Sequence, residues 1–98
     1  MIRECGPGWN GLIDRTLARL SDTVEVVQIK EKFGELRIYF FGGTDTDDKI
    51  VCEAEDESAT ICEACGAPGK TRCSHGWYTT MCVECWEKHI NEPIQQHQ

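Results

Sequence analysis

Apolar residues near the start of the chain recur at helical spacing. Ile13, Leu17 and Leu20, with Leu12 beside them, stand against Asp14, Arg15, Arg19 and Asp22 on other faces. The pattern predicts an amphipathic helix of about three turns. A Cys5-Gly6-Pro7-Gly8 loop precedes it, and Asn10 is its expected N-cap. From residue 23 the period shortens. Residues 23–30 and 35–41 are rich in β-branched and aromatic types, with Leu36, Ile38 and Phe40 on one face. Glu31-Lys32-Phe33-Gly34 lies between them, so a β-hairpin is expected, its apolar face on the first helix.

Gly42-Gly43 ends the second strand, and Thr44 or Thr46 followed by Asp47 and Asp48 reads as a helix start with acids at the positive end of the dipole. Ile50, Val51, Ala54, Ser58 and Ile61 form a narrow inward stripe, while Glu53, Glu55, Asp56 and Glu57 crowd the outward side. Such a helix relies on packing, because like charges four apart repel. Further on, Lys70–Cys73 and Trp77–Met81 can pair across Ser74-His75-Gly76, and a helix is expected from Trp86 until Pro93. The expected class is α+β. Residues 1–60 would form an α-β-β-α core, 61–92 a metal-binding module and 93–98 a disordered tail.

The chemistry sits in the module. Cys62-Glu-Ala-Cys65 and Cys82-Val-Glu-Cys85 are two C-x-x-C pairs separated by sixteen residues. Two cysteines three apart can both turn inward on a tight knuckle, and Gly66 relieves the turn after the first pair. Four thiolates complete a tetrahedron with no open position, the arrangement of a structural Zn2+ site. Knuckle, hairpin and a helix holding the last two ligands would make a treble clef; a zinc ribbon is the alternative and would lack that helix. Of the remaining cysteines, Cys73 is expected to be a small buried or half-buried residue, with Cys73 and His75 as the alternative ligands. Cys52 is expected to flank the helix packing face as a small hydrophobe, and Cys5 is the candidate reactive thiol. His89 and His97 read as surface residues.

Charge narrows the choice of partner. The formal net charge is −7 over 98 residues, and the excess lies in residues 42–65, where eight acids face Lys49 alone. Zinc on four thiolates would take the total to about −9. A chain so acidic is repelled by phosphate backbones unless a local basic patch prevails. With no apolar run of membrane-spanning length, no signal-peptide pattern at the start and seven cysteines, the expected compartment is a reducing cytosol.

Glu4-Cys-Gly-Pro-Gly-Trp-Asn-Gly-Leu-Ile, Val27-Gln-Ile-Lys-Glu-Lys-Phe-Gly-Glu-Leu-Arg-Ile-Tyr, Cys62-x-x-Cys-Gly-Ala-Pro-Gly and Gly76-Trp together resemble a group of small proteins of bacteriophages, prophages and their hosts. The resemblance implies a bacterial or phage origin. Cys62-x-x-Cys65-Gly with Cys82-x-x-Cys85 is also similar to the zinc finger of the DksA/TraR group, which binds RNA polymerase. That likeness is one of zinc-finger type, since the helical hairpin those proteins carry has no counterpart here.

Three functions follow in order of expectation. The first is a zinc-stabilised interaction protein that binds a protein partner through Glu53, Glu55, Asp56 and Glu57, inhibiting host defence or modulating transcription. The second is a nucleic-acid-binding zinc finger using Lys30, Lys32 and Arg37 beside Phe33, Tyr39 and Phe41. The third is a thiol redox enzyme. Two pairs at zinc-finger spacing argue against the third, and no Ser/His/Asp set stands in the sequence, so no catalytic residue is expected.

Overall fold

A computed structural model describes residues 2–91. The elements run β1 (Ile2–Glu4), a 3-10 turn (Pro7–Trp9), α1 (Asn10–Arg19), β2 (Val24–Lys32), β3 (Glu35–Gly42), α2 (Asp45–Ser58), β4 (Lys70–Ser74), β5 (Trp77–Met81) and α3 (Val83–Asn91). Strands β1, β2 and β3 form one sheet, β4 and β5 a second. The expected α+β class is what these elements give. The expected tail, with His97, lies outside the described residues.

The hairpin forms between two strands that favour extended backbone, and its turn is tighter than expected. Phe33 and Gly34 both take positive φ, 55° and 83°. They make a two-residue connection of the type whose twist matches that of the strands. A register shift between Val26 and Gln28 kinks β2. β1 adds to β2 in parallel, with Arg3 opposite Ile29, and α1 serves as the crossover that parallel pairing requires. Three residues carry too little periodicity to announce β1 as a strand.

The first helix begins at Asn10 itself; the expected cap is its first residue, and the Pro7–Trp9 turn leads in without a side-chain cap. α2 is capped by Thr44. Its side chain accepts from the Asp47 backbone N–H while the Asp47 carboxylate accepts from the Thr44 backbone N–H, a reciprocal capping box. Asp47 also accepts from the Ser21 backbone N–H at 2.9 Å and the Ser21 hydroxyl at 2.6 Å. It thus ties the start of α2 to the loop before β2.

The core joins Trp9, Leu12 and Ile13 to Ile29, Leu36, Ile38, Val51 and Ala54. The hairpin's apolar face therefore meets both helices, with α2 packed most closely on β3. That helix also closes the sheet edge. The Leu36 N–H donates to the Ser58 hydroxyl at 2.9 Å, and the Ile38 N–H to the Glu55 carboxylate at 3.0 Å. Both groups would otherwise be open edge donors.

Candidate metal centre

Residues 62–66 make the first knuckle. The Cys62 N–H donates to the Ala67 carbonyl at 2.7 Å and the Gly66 N–H returns to the Cys62 carbonyl at 2.9 Å. Gly66 has φ of 87°, a conformation that costs a side-chain-bearing residue. The second pair comes from the end of β5. Cys82 sits one residue before α3 and Cys85 in its first turn, and the Cys85 N–H donates to the Cys82 sulfur at 3.4 Å. Cys82 thus caps α3 with a sulfur, placing it at the positive end of the helix.

The four sulfurs of Cys62, Cys65, Cys82 and Cys85 all lie within 4.8 Å of one another. Zinc–sulfur bonds of about 2.3 Å at tetrahedral angles would set sulfurs about 3.8 Å apart. Cys65 and Cys82 are 3.7 Å apart, close to that spacing and far too long for a disulfide. Burial pushes the Cys62 thiol up, but the backbone N–H groups of Cys82, Cys65 and Ala64 outweigh it and bring it down to about 6. The Cys85 thiol, sharing hydrogen bonds with Cys82, Cys65 and Cys62, is pushed up to about 12. One thiolate is thus favoured and further ones are opposed. A bound cation relieves that opposition. The residues fit a single metal ion.

No family model, curated protein or solved structure matches the chain.

The centre is built against the helical core. The Gly6-Pro7-Gly8 loop wraps the first knuckle: the Gly8 N–H donates to the Glu63 carbonyl at 2.6 Å and the Gly6 N–H to the Glu63 carboxylate at 2.8 Å. A methyl group at Gly8 would collide with the Cys62 carbonyl, so only glycine allows this approach. Trp9 is fully buried beside it. On the other side, the Thr80 hydroxyl donates to the Gly34 carbonyl at 2.5 Å and Phe33 meets Tyr78 edge-on with centroids 6.4 Å apart. Sequence reasoning missed this socket. The signal was the run Cys-Gly-Pro-Gly-Trp, whose two glycines frame a proline ahead of a large apolar residue.

The remaining expectations resolve as follows. Cys73 is exposed on β4 and Cys52 is exposed on α2, so neither is the buried or packing residue expected: each points from the solvent side of its element. Cys5 is half-buried. Burial first, then the Glu63 carboxylate, pushes its thiol up, the reverse of what a reactive thiol needs. His75 lies outside the sulfur cluster, in the β4–β5 turn with φ of 54°, its Nδ1 3.1 Å from the Ser74 hydroxyl. His89 is exposed, as expected, and lies against Trp86.

The outward acids are partly matched. Glu57 pairs with Arg15 and Glu53 with Arg19, each at 3.3 Å. Glu55 is half-buried, 3.9 Å from Arg37, and is held by the Ile38 N–H; it belongs to the fold as much as to the surface. Asp56 is exposed. Lys30 and Arg37 are directly opposite each other in the sheet, and with Lys32 they share, by strand alternation, the face turned away from the helices. Lys30 stands over Tyr39 at 5.3 Å and Lys32 over Phe33 at 5.7 Å. Arg37 pairs with Glu35 at 2.9 Å.

Proposed function

We propose that this is a small interaction protein whose zinc ion is structural and whose work is to dock on a macromolecular partner. The observation that carries this reading is the closed donor set. Four sulfurs converge and leave no position for a substrate or an activated water, so the metal's contribution is folding free energy. The knuckle, the β4–β5 hairpin and α3 support a treble-clef arrangement over a ribbon, because the last two cysteines flank the start of a helix. The docking surface proposed is the acidic side of α2, with Asp56, Glu53 and Glu57 meeting a basic protein surface. The resemblance to small phage and prophage proteins supports a bacterial host cytosol as the setting and a target in host defence or transcription. We place no catalytic step in this chain.

The test is retention of a partner from a bacterial lysate by the zinc-loaded protein. Reversal of Glu53, Asp56 and Glu57 to Lys, with Glu55 left in place, should abolish retention and leave the melting curve little changed. If no protein is retained specifically, or if the reversed variant retains the same protein equally well, the reading fails.

A second reading has an observation of its own. Directly opposed like charges such as Lys30 and Arg37 destabilise a sheet, and they lie beside Tyr39 on an uncovered face. Single-stranded nucleic acid fits such a surface. Against it stand the Glu35 and Glu55 carboxylates beside Arg37 and the net charge of −7. Loss of partner binding on changing Lys30, Lys32 and Arg37 together, but not on reversing α2, would favour it.

A further inference from the structure

The tips of the two hairpins come together and leave three aromatic rings in solvent. Phe33 and Trp77 are each 67% exposed and Tyr78 46%. Together with Glu31 and Gly76 they line a pocket of about 170 Å³. Large exposed rings that cluster, rather than scatter singly, mark binding surfaces. The first of them is also held at a conformational cost. Phe33 has φ of 55°, in a turn position that Asn, Asp or Gly occupies far more readily. Strain kept at an exposed ring suggests that the ring has a use.

The lining contains a carboxylate. One oxygen of Glu31 accepts the Gly34 N–H at 2.7 Å, which fixes the side chain at the pocket and leaves its other oxygen for a ligand. Lys32 does not line the pocket, although its ammonium stands 5.7 Å from the centroid of the Phe33 ring, so an incoming cation shares that ring with it or displaces it. Ring faces carry negative potential, and a cation close to several rings and a carboxylate is attracted by all of them.

We infer that Phe33, Trp77, Tyr78 and Glu31 form an aromatic cage for a lysine side chain, plain or methylated, presented by a basic segment of a partner protein. The ammonium sits among the rings and Glu31 supplies the countercharge. This rests on the docking function proposed above and gives it a second, chemically defined contact. The net charge of −7 steers a basic segment toward the molecule as a whole.

The test uses the zinc-loaded full chain and three otherwise identical Gly/Ser peptides carrying one lysine, one trimethyllysine or one norleucine, with Trp77 fluorescence and the indole N–H resonance as readouts. Both cationic peptides should saturate the signal, and norleucine should bind about tenfold more weakly or not at all. Glu31→Gln, which can still accept the Gly34 N–H, should weaken the cationic peptides by about tenfold and leave norleucine unchanged. Phe33→Asn should abolish binding while Tm stays within about 5 °C, because the turn strain it relieves offsets the ring contact it loses. Equal binding of norleucine, full binding by Phe33→Asn, or no saturation by either cationic peptide would each overturn the cage. Failure of the peptides alongside partner retention dependent on α2 would remove the cage and leave the docking function standing.

Discussion

The indole N–H of Trp9 donates to the carbonyl oxygen of Ile61 at 2.9 Å, joining two residues 52 apart in sequence. Ile61 immediately precedes the first metal ligand, and Trp9 is fully buried in the helical core. This bond joins those from Gly6 and Gly8 to Glu63 and from Thr80 to Gly34 in fixing the metal module to the fold that carries it. Trp9→Phe keeps most of the apolar contact but leaves the Ile61 carbonyl without its donor. It should cost about 1–3 kcal/mol, measured by denaturant unfolding of the zinc-loaded protein. Core and module should unfold in one transition, because these bonds span both. Two separate transitions would show that the halves fold independently.

The glycine loop makes a paired prediction. A methyl group at Gly8 would collide with the Cys62 carbonyl, whereas one at Gly11, in the first turn of α1, meets nothing within 4 Å. Gly8→Ala should lower both Tm and zinc affinity. Gly11→Ala should stabilise by about 0.5–1 kcal/mol, the gain of helix propensity alone. Thermal melts with a chromophoric zinc chelator distinguish the two, and equal effects would contradict the described approach of loop and knuckle.

Much of this architecture is legible in the sequence because it follows from periodicity and spacing. Leu36 and Ile38 alternate and are buried together; Ile50, Val51 and Ala54 recur at helical spacing and are buried together. The C-x-x-C pairs converge as their spacing implies. What the sequence hides depends on contacts between distant segments. Gly8 against Cys62, Trp9 against Ile61 and Thr80 against Gly34 have no local signature. Glu55 looks like one more outward acid until β3 is seen to direct the Ile38 N–H at it. Cys52 and Cys73 reverse expectation because cysteine's usual burial is an average, and their solvent-facing positions are set by the phase of α2 and β4.

The buried Asp47 carboxylate gives a pH dependence. The hydroxyl and backbone N–H of Ser21, with the backbone N–H of Thr44, hold it at about 2, below the ordinary 3.8. A lowered folded-state value means that its stabilisation is present above about pH 4 and is lost as pH falls toward 2. Asp47→Asn removes this contribution. The stability difference between the natural protein and the variant should therefore shrink between pH 4 and pH 2, while acid release of metal affects both alike. A difference that is constant across that window would refute the assignment.

The cysteines divide into two groups. Cys62→Ser and Cys82→Ser should each lose the metal and the cooperative melt, because a small metal module draws its folding free energy from the ion. Cys52→Ser and Cys73→Ser, both at exposed positions, should stay within about 0.5 kcal/mol of the parent. Circular dichroism melts of the four variants, each with its zinc content, check this. A parent-like melt for Cys62→Ser or Cys82→Ser would show that the ion is not structural.

The central claim is that one ion held by four sulfurs organises the C-terminal part of the chain. X-ray absorption at the metal edge, on protein purified without chelators, measures it most directly. The account predicts one zinc per chain and a single shell of four sulfurs at about 2.3 Å. Absence of zinc, or a shell with a nitrogen in place of one of the sulfurs of Cys62, Cys65, Cys82 and Cys85, would contradict it.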